Sequence, residues 1–257
     1  MKQSQDGMGK SQTQTSSKLI SKQPCKRFNI KGFQEVSLLE WEGKLTSILF
    51  LPGCNLRCGF CHAKALVLDR IKETVPFEKI TAYLKTKRLW LDAVVISGGE
   101  PTMHEWLTLL IDEIKKYKLK VMLETNGTHP DKIKALLDAK KLDYIAMDIK
   151  APLAKYKTAT ATDINTQDIA KSIQIIMSSG IDYEFRTTVV PGIINVKDIK
   201  EIARLIKGAR KLSLQQFSPK DTLDSAFLKI KPYPKNVLEE MGKIAREFVD
   251  EVAIKNA

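Results

Sequence analysis

The chain predicts an α/β fold built on a mainly parallel sheet, and three observations carry that expectation. Short apolar runs rich in β-branched residues alternate with longer stretches of helical period, as in repeated strand-helix units. Polar residues gather directly after the C-terminal ends of those runs, where parallel α/β folds place their chemistry. With 257 residues and 43% hydrophobic composition, there is material for one large domain and little length to spare for two.

The elements follow in order. Residues 1–31 carry seven lysines and arginines against Asp6 alone, half of the formal net charge of +12, in a Ser/Gln/Lys-rich leader expected to be disordered. The catalytic domain is expected over 32–257. Residues 34–39 offer an extra first strand. Six further strands are expected at 46–51, 93–97, 120–124, 144–149, 183–190 and 211–217. Helices are expected near 77–87, 104–117, 131–140, 167–179 and 197–207, with a last one near 235–250. Six units are too few for a closed eightfold barrel, which leaves a partial parallel (β/α)6 barrel or a doubly wound sheet.

Outside the leader, lysines alternate with acidic residues along amphipathic helices, and no stacking aromatics interleave with a basic run. That pattern argues against nucleic acid and fits a basic face for an acidic protein partner or electron donor. No apolar run approaches the roughly 20 residues of a membrane span, and the leader lacks the apolar stretch of a secretion signal. A cytoplasmic protein is expected. Three of the four cysteines fall within eight residues, which serves a metal better than a disulfide framework and fits a reducing compartment.

That cysteine segment, Leu51-Pro-Gly-Cys-Asn-Leu-Arg-Cys-Gly-Phe-Cys-His62, starts at the C-terminal end of the first strong strand. Spacings of four and three let one loop wrap a compact inorganic core, and thiolates are soft ligands suited to iron-sulfur clusters or zinc. A non-catalytic zinc module is the bland alternative, with His62 as fourth ligand. Adjacent residues rarely aim at one metal, however, and no second ligand couple exists, since Cys25 lies in the leader.

The loop resembles that of the radical S-adenosylmethionine (SAM) superfamily, CxxxCxxC with an aromatic before the last cysteine, matched by Phe60. The resemblance implies a radical SAM partial barrel and one 4Fe-4S cluster on Cys54, Cys58 and Cys61. SAM would bind the iron that lacks a protein ligand, and Phe60 would lie near its adenine. A second motif, Ser97-Gly-Gly-Glu-Pro101, follows the next strand, where two glycines allow close backbone approach to a ligand. By resemblance Gly98, Gly99 and Glu100 bind the methionine amino group, so Gly99→Val is expected to harm SAM binding more than cluster assembly.

Later strands also end in polar residues: Glu124-Thr125-Asn126-Gly127, then Asp148-Ile149-Lys150, Arg186-Thr187-Thr188 and Gln215-Gln216-Phe217. Placed at one end of successive parallel strands, they would converge on one mouth. More narrowly, residues 32–220 resemble the activating enzymes of glycyl-radical proteins, above all the anaerobic ribonucleoside-triphosphate reductase activating proteins. That implies Glu124, Thr125 and Asn126 near the SAM carboxylate, with a monovalent cation shared with Asp148, and Lys150 and Arg186 on SAM polar groups. The pyruvate formate-lyase branch usually has an aspartate where Glu124 stands and a histidine near Gln216 or Phe217. The implied partners are a glycyl-radical enzyme, anaerobic ribonucleotide reductase first, and a flavodoxin- or ferredoxin-like donor. The rival enzyme reading is a small-molecule reaction of the kind run by 7-carboxy-7-deazaguanine synthases.

Overall fold

The computed structural model describes residues 28–256. The expectations for the leader through residue 27, Cys25 included, lie outside the described residues. Ahead of the boundary drawn at residue 31, Phe28 and Ile30 are already buried in the main core, and Val75 donates its N–H to the Ile30 carbonyl at 2.8 Å. The fold therefore begins earlier than charge alone suggested.

One eight-stranded sheet runs through the domain: β1 (Gly32–Ser37), β2 (Thr46–Leu51), β3 (Ala93–Gly98), β4 (Lys120–Thr125), β5 (Tyr144–Asp148), β6 (Asp182–Val189), β7 (Lys211–Gln216) and β8 (Glu251–Lys255). Neighbours in sequence are neighbours in the sheet throughout, so no point of reversal exists and the doubly wound alternative falls. β1 pairs antiparallel with β2, and every later pair is parallel.

The expected six parallel strands are present as β2 to β7, but the count is corrected at both edges. The extra first strand is antiparallel, and β8 is a seventh parallel strand beyond the last expected helix. Its short stretch Glu251-Val-Ala-Ile-Lys255 follows the end of the last expected helix and was not among the expected strands. Helix α8 (Lys235–Ala245) stops five residues before the expected end.

Parallel neighbours need a crossover, and helices supply most of them. These are α2 (Phe77–Lys87), α3 (Leu107–Lys115), α4 (Pro130–Asp138), α6 (Thr166–Met177) and α7 (Val196–Leu205), with short α1 (Lys64–Val67) and α5 (Tyr156–Thr160) in the site loops. Each long helix lays an apolar stripe on the sheet, as Leu107, Leu110, Ile111 and Ile114 do in α3. Asn195 caps α7 by accepting from the N–H groups of Lys197 and Asp198, while Asp198 accepts from the Asn195 N–H.

The strands obey a period of two. In β6, Tyr183, Phe185 and Val189 join the helix-facing core, whereas Glu184, Arg186 and Thr188 face inward. The register carries this across the sheet, aligning Asp148 with Arg186 and Ser213, and Thr188 with Gln215 and Lys255. The inner face of β2 to β5 is instead apolar at its base, with Ile48, Val95, Met122 and Ala146 packed on Trp41 and Tyr144. A plug at the base and polar groups above it aim the chemistry at the C-terminal ends of the strands.

Ile30→Ala should lower the denaturant midpoint by the equivalent of about 2–5 kcal/mol with an unchanged slope, because a fully buried isoleucine leaves a cavity. Equilibrium urea unfolding measures this. A change under about 0.5 kcal/mol would place Ile30 outside the cooperative core.

Candidate functional site

The cysteine loop leaves β2 through Pro52 and Gly53, the latter with φ +76, and is tied down at several points. Gly53 N–H donates to Leu66 O at 2.8 Å, and Arg57 N–H to Thr160 O at 2.9 Å. Cys54, Cys58 and Cys61 are all free and all line one cavity of about 350 Å³ at the C-terminal mouth of the sheet. Burial raises the Cys54 thiol and pushes Cys58 up to about 12. Such thiols stay protonated at neutral pH unless a cation takes the proton's place, as a metal does. The N–H of Leu56 and the Asn126 side-chain amide already point at Cys54 Sγ, at 3.4 and 3.8 Å. Three soft donors in one cavity, free of disulfides and supported by N–H groups, fit an iron-sulfur cluster.

Among the described residues, no three His, Cys, Asp or Glu side chains gather tightly enough for a single metal ion. His62 lines the cavity but commits its Nδ1–H to the Lys220 carbonyl at 2.6 Å.

The two glycines at the end of β3 lie against the main chain of the cysteine loop. A Cβ on Gly99 would lie 1.8 Å from Gly53 O and 3.3 Å from Cys54 N, and one on Gly98, where φ is +124, would lie 2.3 Å from Leu51 O. Main chain sits against main chain here: Gly99 N–H donates to Leu51 O at 2.9 Å and Glu100 N–H to Gly53 O at 2.8 Å. Both glycines line the cavity, but their lack of side chains is required first by the cysteine loop.

Glu100 lies deeper than the two glycines before it. Its carboxylate is wholly buried, does not line the cavity, and is saturated by Thr102 N–H at 3.0 Å, Thr102 Oγ1 at 2.5 Å, Thr125 Oγ1 at 2.8 Å and Asn126 N–H at 2.6 Å. It ties together the loops that follow β3 and β4.

The remaining expected residues do converge. Phe60, Glu124, Thr125, Asn126, Asp148, Lys150 and Arg186 line the same cavity as the cysteines. Lys150 pairs with Asp148 at 2.7 Å. Burial acts to lower its pKa, but Asp148 and the Cys58 sulfur outweigh it, so Lys150 is held protonated beside the thiols. Arg186 lines the cavity and is held by carboxylates of the chain. Its Nε and Nη2 donate to Glu184, its Nη1 to Glu124, and Nη2 also to the Glu40 carbonyl at 3.1 Å. The guanidinium orients Glu124, which also accepts from Ser97 Oγ at 2.5 Å.

Two contributors escaped the sequence reading. Glu184 was visible in principle, since the alternation in β6 puts it on the face of Arg186. Glu40, in the β1–β2 loop, belongs to no motif and reaches the cavity only through the closure of the fold.

Comparison with known proteins bears on this arrangement. A family model described as the radical SAM superfamily matches residues 48–206, well over half of the sequence and every strand that lines the cavity except β7. The chain belongs to the radical SAM superfamily. It is 36% identical over 232 residues to a Methanocaldococcus jannaschii protein named "Putative glycyl-radical enzyme activating enzyme MJ1227", covering 88% of this chain and 95% of that one. It is 35% identical over 94 residues to the 7-carboxy-7-deazaguanine synthase of Halobacterium salinarum, covering 35% and 36%. Among solved structures, the SuiB protein of Streptococcus suis superposes with a TM-score of 0.61 at 17% identity, covering 82% of this chain and 51% of that one, a likeness of fold. The radical SAM fold expected from the motif is thereby shown.

Gly99→Ala should disturb the cysteine loop before any ligand. It is expected to cost about 1–3 kcal/mol and to cut iron uptake on anaerobic reconstitution severalfold. Iron and sulfide analysis beside urea unfolding measures both. Full iron uptake with impaired SAM affinity alone would restore the glycine pair to a purely ligand-facing role.

Proposed function

We propose that the protein is a glycyl-radical enzyme activase that holds one 4Fe-4S cluster on Cys54, Cys58 and Cys61 and binds SAM in the adjoining cavity. The observation that carries this reading is the three free thiols lining one cavity with the polar ends of β3 to β7, in a chain that aligns over almost its whole length with the activating-enzyme relative. No helix among the described residues is long and apolar enough to cross a membrane.

When bound, the cluster and SAM together supply a carbon-centred radical that removes a hydrogen atom from the substrate. The chain's own work is to bind, orient and keep water out. Three thiolates leave one iron of a 4Fe-4S cluster without a protein ligand. Lys150 supplies a fixed positive charge near Cys58, offsetting the negative charge of thiolates in a buried place. Glu124, fixed by Arg186 and Ser97, presents a carboxylate to the cationic groups of SAM, and Thr125 and Asn126 flank it. Leu56, Phe60 and Val67 give the cavity an apolar wall that limits quenching by water. No side chain is required as an acid or base.

The target is a glycine on a segment of another protein, with anaerobic ribonucleotide reductase as the first candidate and a flavodoxin- or ferredoxin-like protein as electron donor. The small-molecule alternative draws on the 7-carboxy-7-deazaguanine synthase match, which spans only about a third of each chain.

Cys58→Ala should lose the cluster and all SAM cleavage after reconstitution, because a buried position offers no substitute ligand. Retained cluster absorbance would sink the ligand assignment. For the activase itself, the reduced protein, SAM and the reductase from the same source should yield an electron paramagnetic resonance signal whose main splitting collapses when glycine Cα is deuterated. Turnover of a purine-like small molecule, with no radical on the reductase, would decide for the alternative.

A further inference from the structure

The connection after β7, residues 217–234, folds back over the cysteine loop. Leu223 N–H donates to Cys61 O at 3.0 Å and Asp224 N–H to Gly59 O at 2.9 Å, and the Phe227 ring lies so close that a Cβ on Gly59 would meet it at 2.4 Å. Phe227 and Ile230 then pack with Ile164 and Ile193 against Leu56, Cys58 and Phe60. Tyr233 Oη donates to Ile194 O at 3.1 Å, and Arg57 N–H to Thr160 O at 2.9 Å. The connections after β2, β5, β6 and β7 thus join in one cover over the thiols. Ile164, Ile193, Phe227 and Ile230 do not line the site cavity, so this cover lies on its outer side.

The cover is charged with one sign. Its four connections, residues 52–63, 149–165, 190–195 and 217–234, hold seven lysines and arginines against Asp163, Asp221 and Asp224, which is +4 of the +6 carried by residues 32–257. The connections after β3 and β4, residues 99–106 and 126–129, hold two glutamates and no lysine or arginine. The positive charge therefore belongs to one side of the mouth. Lys197, at the start of α7, adds to it. Among the described residues, Lys197, Lys220, Lys229 and Lys231 are exposed and have no acidic partner, and exposed Arg57 spends its guanidinium on the Cys54 and Leu56 carbonyls. Beside Lys229, Leu228 leaves an apolar side chain 48% exposed. Free cations around a small apolar spot attract an acidic protein surface and steer its approach.

We propose that this cover is the docking face for the electron donor, an acidic protein whose redox cofactor comes to rest over Leu228 and Phe227. This rests on the reading of a cluster on the three thiols. Position decides between the possible occupants, because a substrate has to enter the cavity, and Arg57, Lys197, Lys229 and Lys231 do not line it. An electron needs no such entry. Its transfer weakens steeply with distance, so the donor gains most from the thinnest cover over the cluster. Here one side chain, Phe227, lies directly on the main chain between Cys58 and Cys61. The donor gives up one electron and the cluster takes it, with no further reactant. Transient redox contacts are small, as a single exposed leucine beside a few cations is.

The test titrates the reconstituted protein calorimetrically with oxidised flavodoxin, and follows the bleaching of its cluster absorbance after mixing with reduced flavodoxin or with dithionite. Wild type is compared with Lys229→Glu/Lys231→Glu and with Lys85→Glu/Lys87→Glu, exposed lysines at the opposite end of the sheet where α2 runs toward β3. At about 50 mM salt the first variant should bind flavodoxin about tenfold more weakly than wild type and be reduced by it about tenfold more slowly, and the second should match wild type. The gap should shrink at about 500 mM salt, where exposed charges are screened. Iron content and reduction by dithionite should be the same in all three. Wild-type affinity that ignores salt, or a first variant within about twofold of wild type, overturns the proposal. Equal slowing with dithionite places the defect in the cluster and also overturns it. If the first variant keeps its flavodoxin affinity but loses binding to the candidate reductase, the face belongs to the target protein, and the donor assignment falls while the activase reading stands. A wild type that assembles no cluster overturns the proposed function, and the docking face with it.

Discussion

Glu100 has no exposure to water, yet its carboxylate gathers donors from two consecutive strand ends: Thr102 beyond β3, and Thr125 and Asn126 at the end of β4. Its own N–H goes to Gly53, one residue before the first cysteine. Three loops that contribute to the cavity are therefore locked by one residue that does not line it. Burying a carboxylate costs several kcal/mol unless it is fully bonded, and removing it would strand buried donors as well. The constraint explains the two glycines beside it. Only residues without Cβ let the β3 loop lie flat on the main chain of the cysteine loop and bring the Glu100 N–H to Gly53.

A second buried network fills the inner face of β4, β6, β7 and β8, where Arg186 pairs with Glu124 and Glu184, and Glu184 also accepts from Lys255 and from Ser213 Oγ. Guanidinium geometry suits this role, since its donors fan out in one plane toward several acceptors. The result is a cavity with one wall of sulfur and apolar side chains and another of oriented carboxylates. A cationic ligand carrying an apolar ring system meets a complementary surface on each side.

Much of this was legible in the chain, for reasons that differ by residue. The cysteine loop and the Gly-Gly-Glu-Pro turn are local, and their spacing survives translation into three dimensions. The strands announce themselves because parallel strands covered by helices need apolar residues facing outward, and β-branched ones fit the pleat. Roles were harder than positions. Glu100 and Arg186 were expected to touch a ligand, and their bonds to Thr102, Asn126, Glu124 and Glu184 could not be read from the motifs, because a conspicuous charge looks the same whatever it binds. Glu40 and β8 were illegible for a different cause: one reaches the cavity from the β1–β2 loop, far in sequence from the strands it meets, and the other is a five-residue run whose pairing with β7 is not written in its own pattern.

The unbroken strand order bears on how such a molecule is made. A chain emerging from its N-terminus lays each new strand beside the last one, so at any moment only one edge of the parallel sheet is still growing. The three loops locked by Glu100 are complete once residue 128 has appeared, about halfway along the 257 residues. Everything later widens a nest whose three cysteines and anchoring carboxylate are already present. The exposed edge, which invites wrong partners, is passed forward strand by strand. It comes to rest on β8, whose ends carry Glu251 and Lys255 and so discourage another sheet from adding to it.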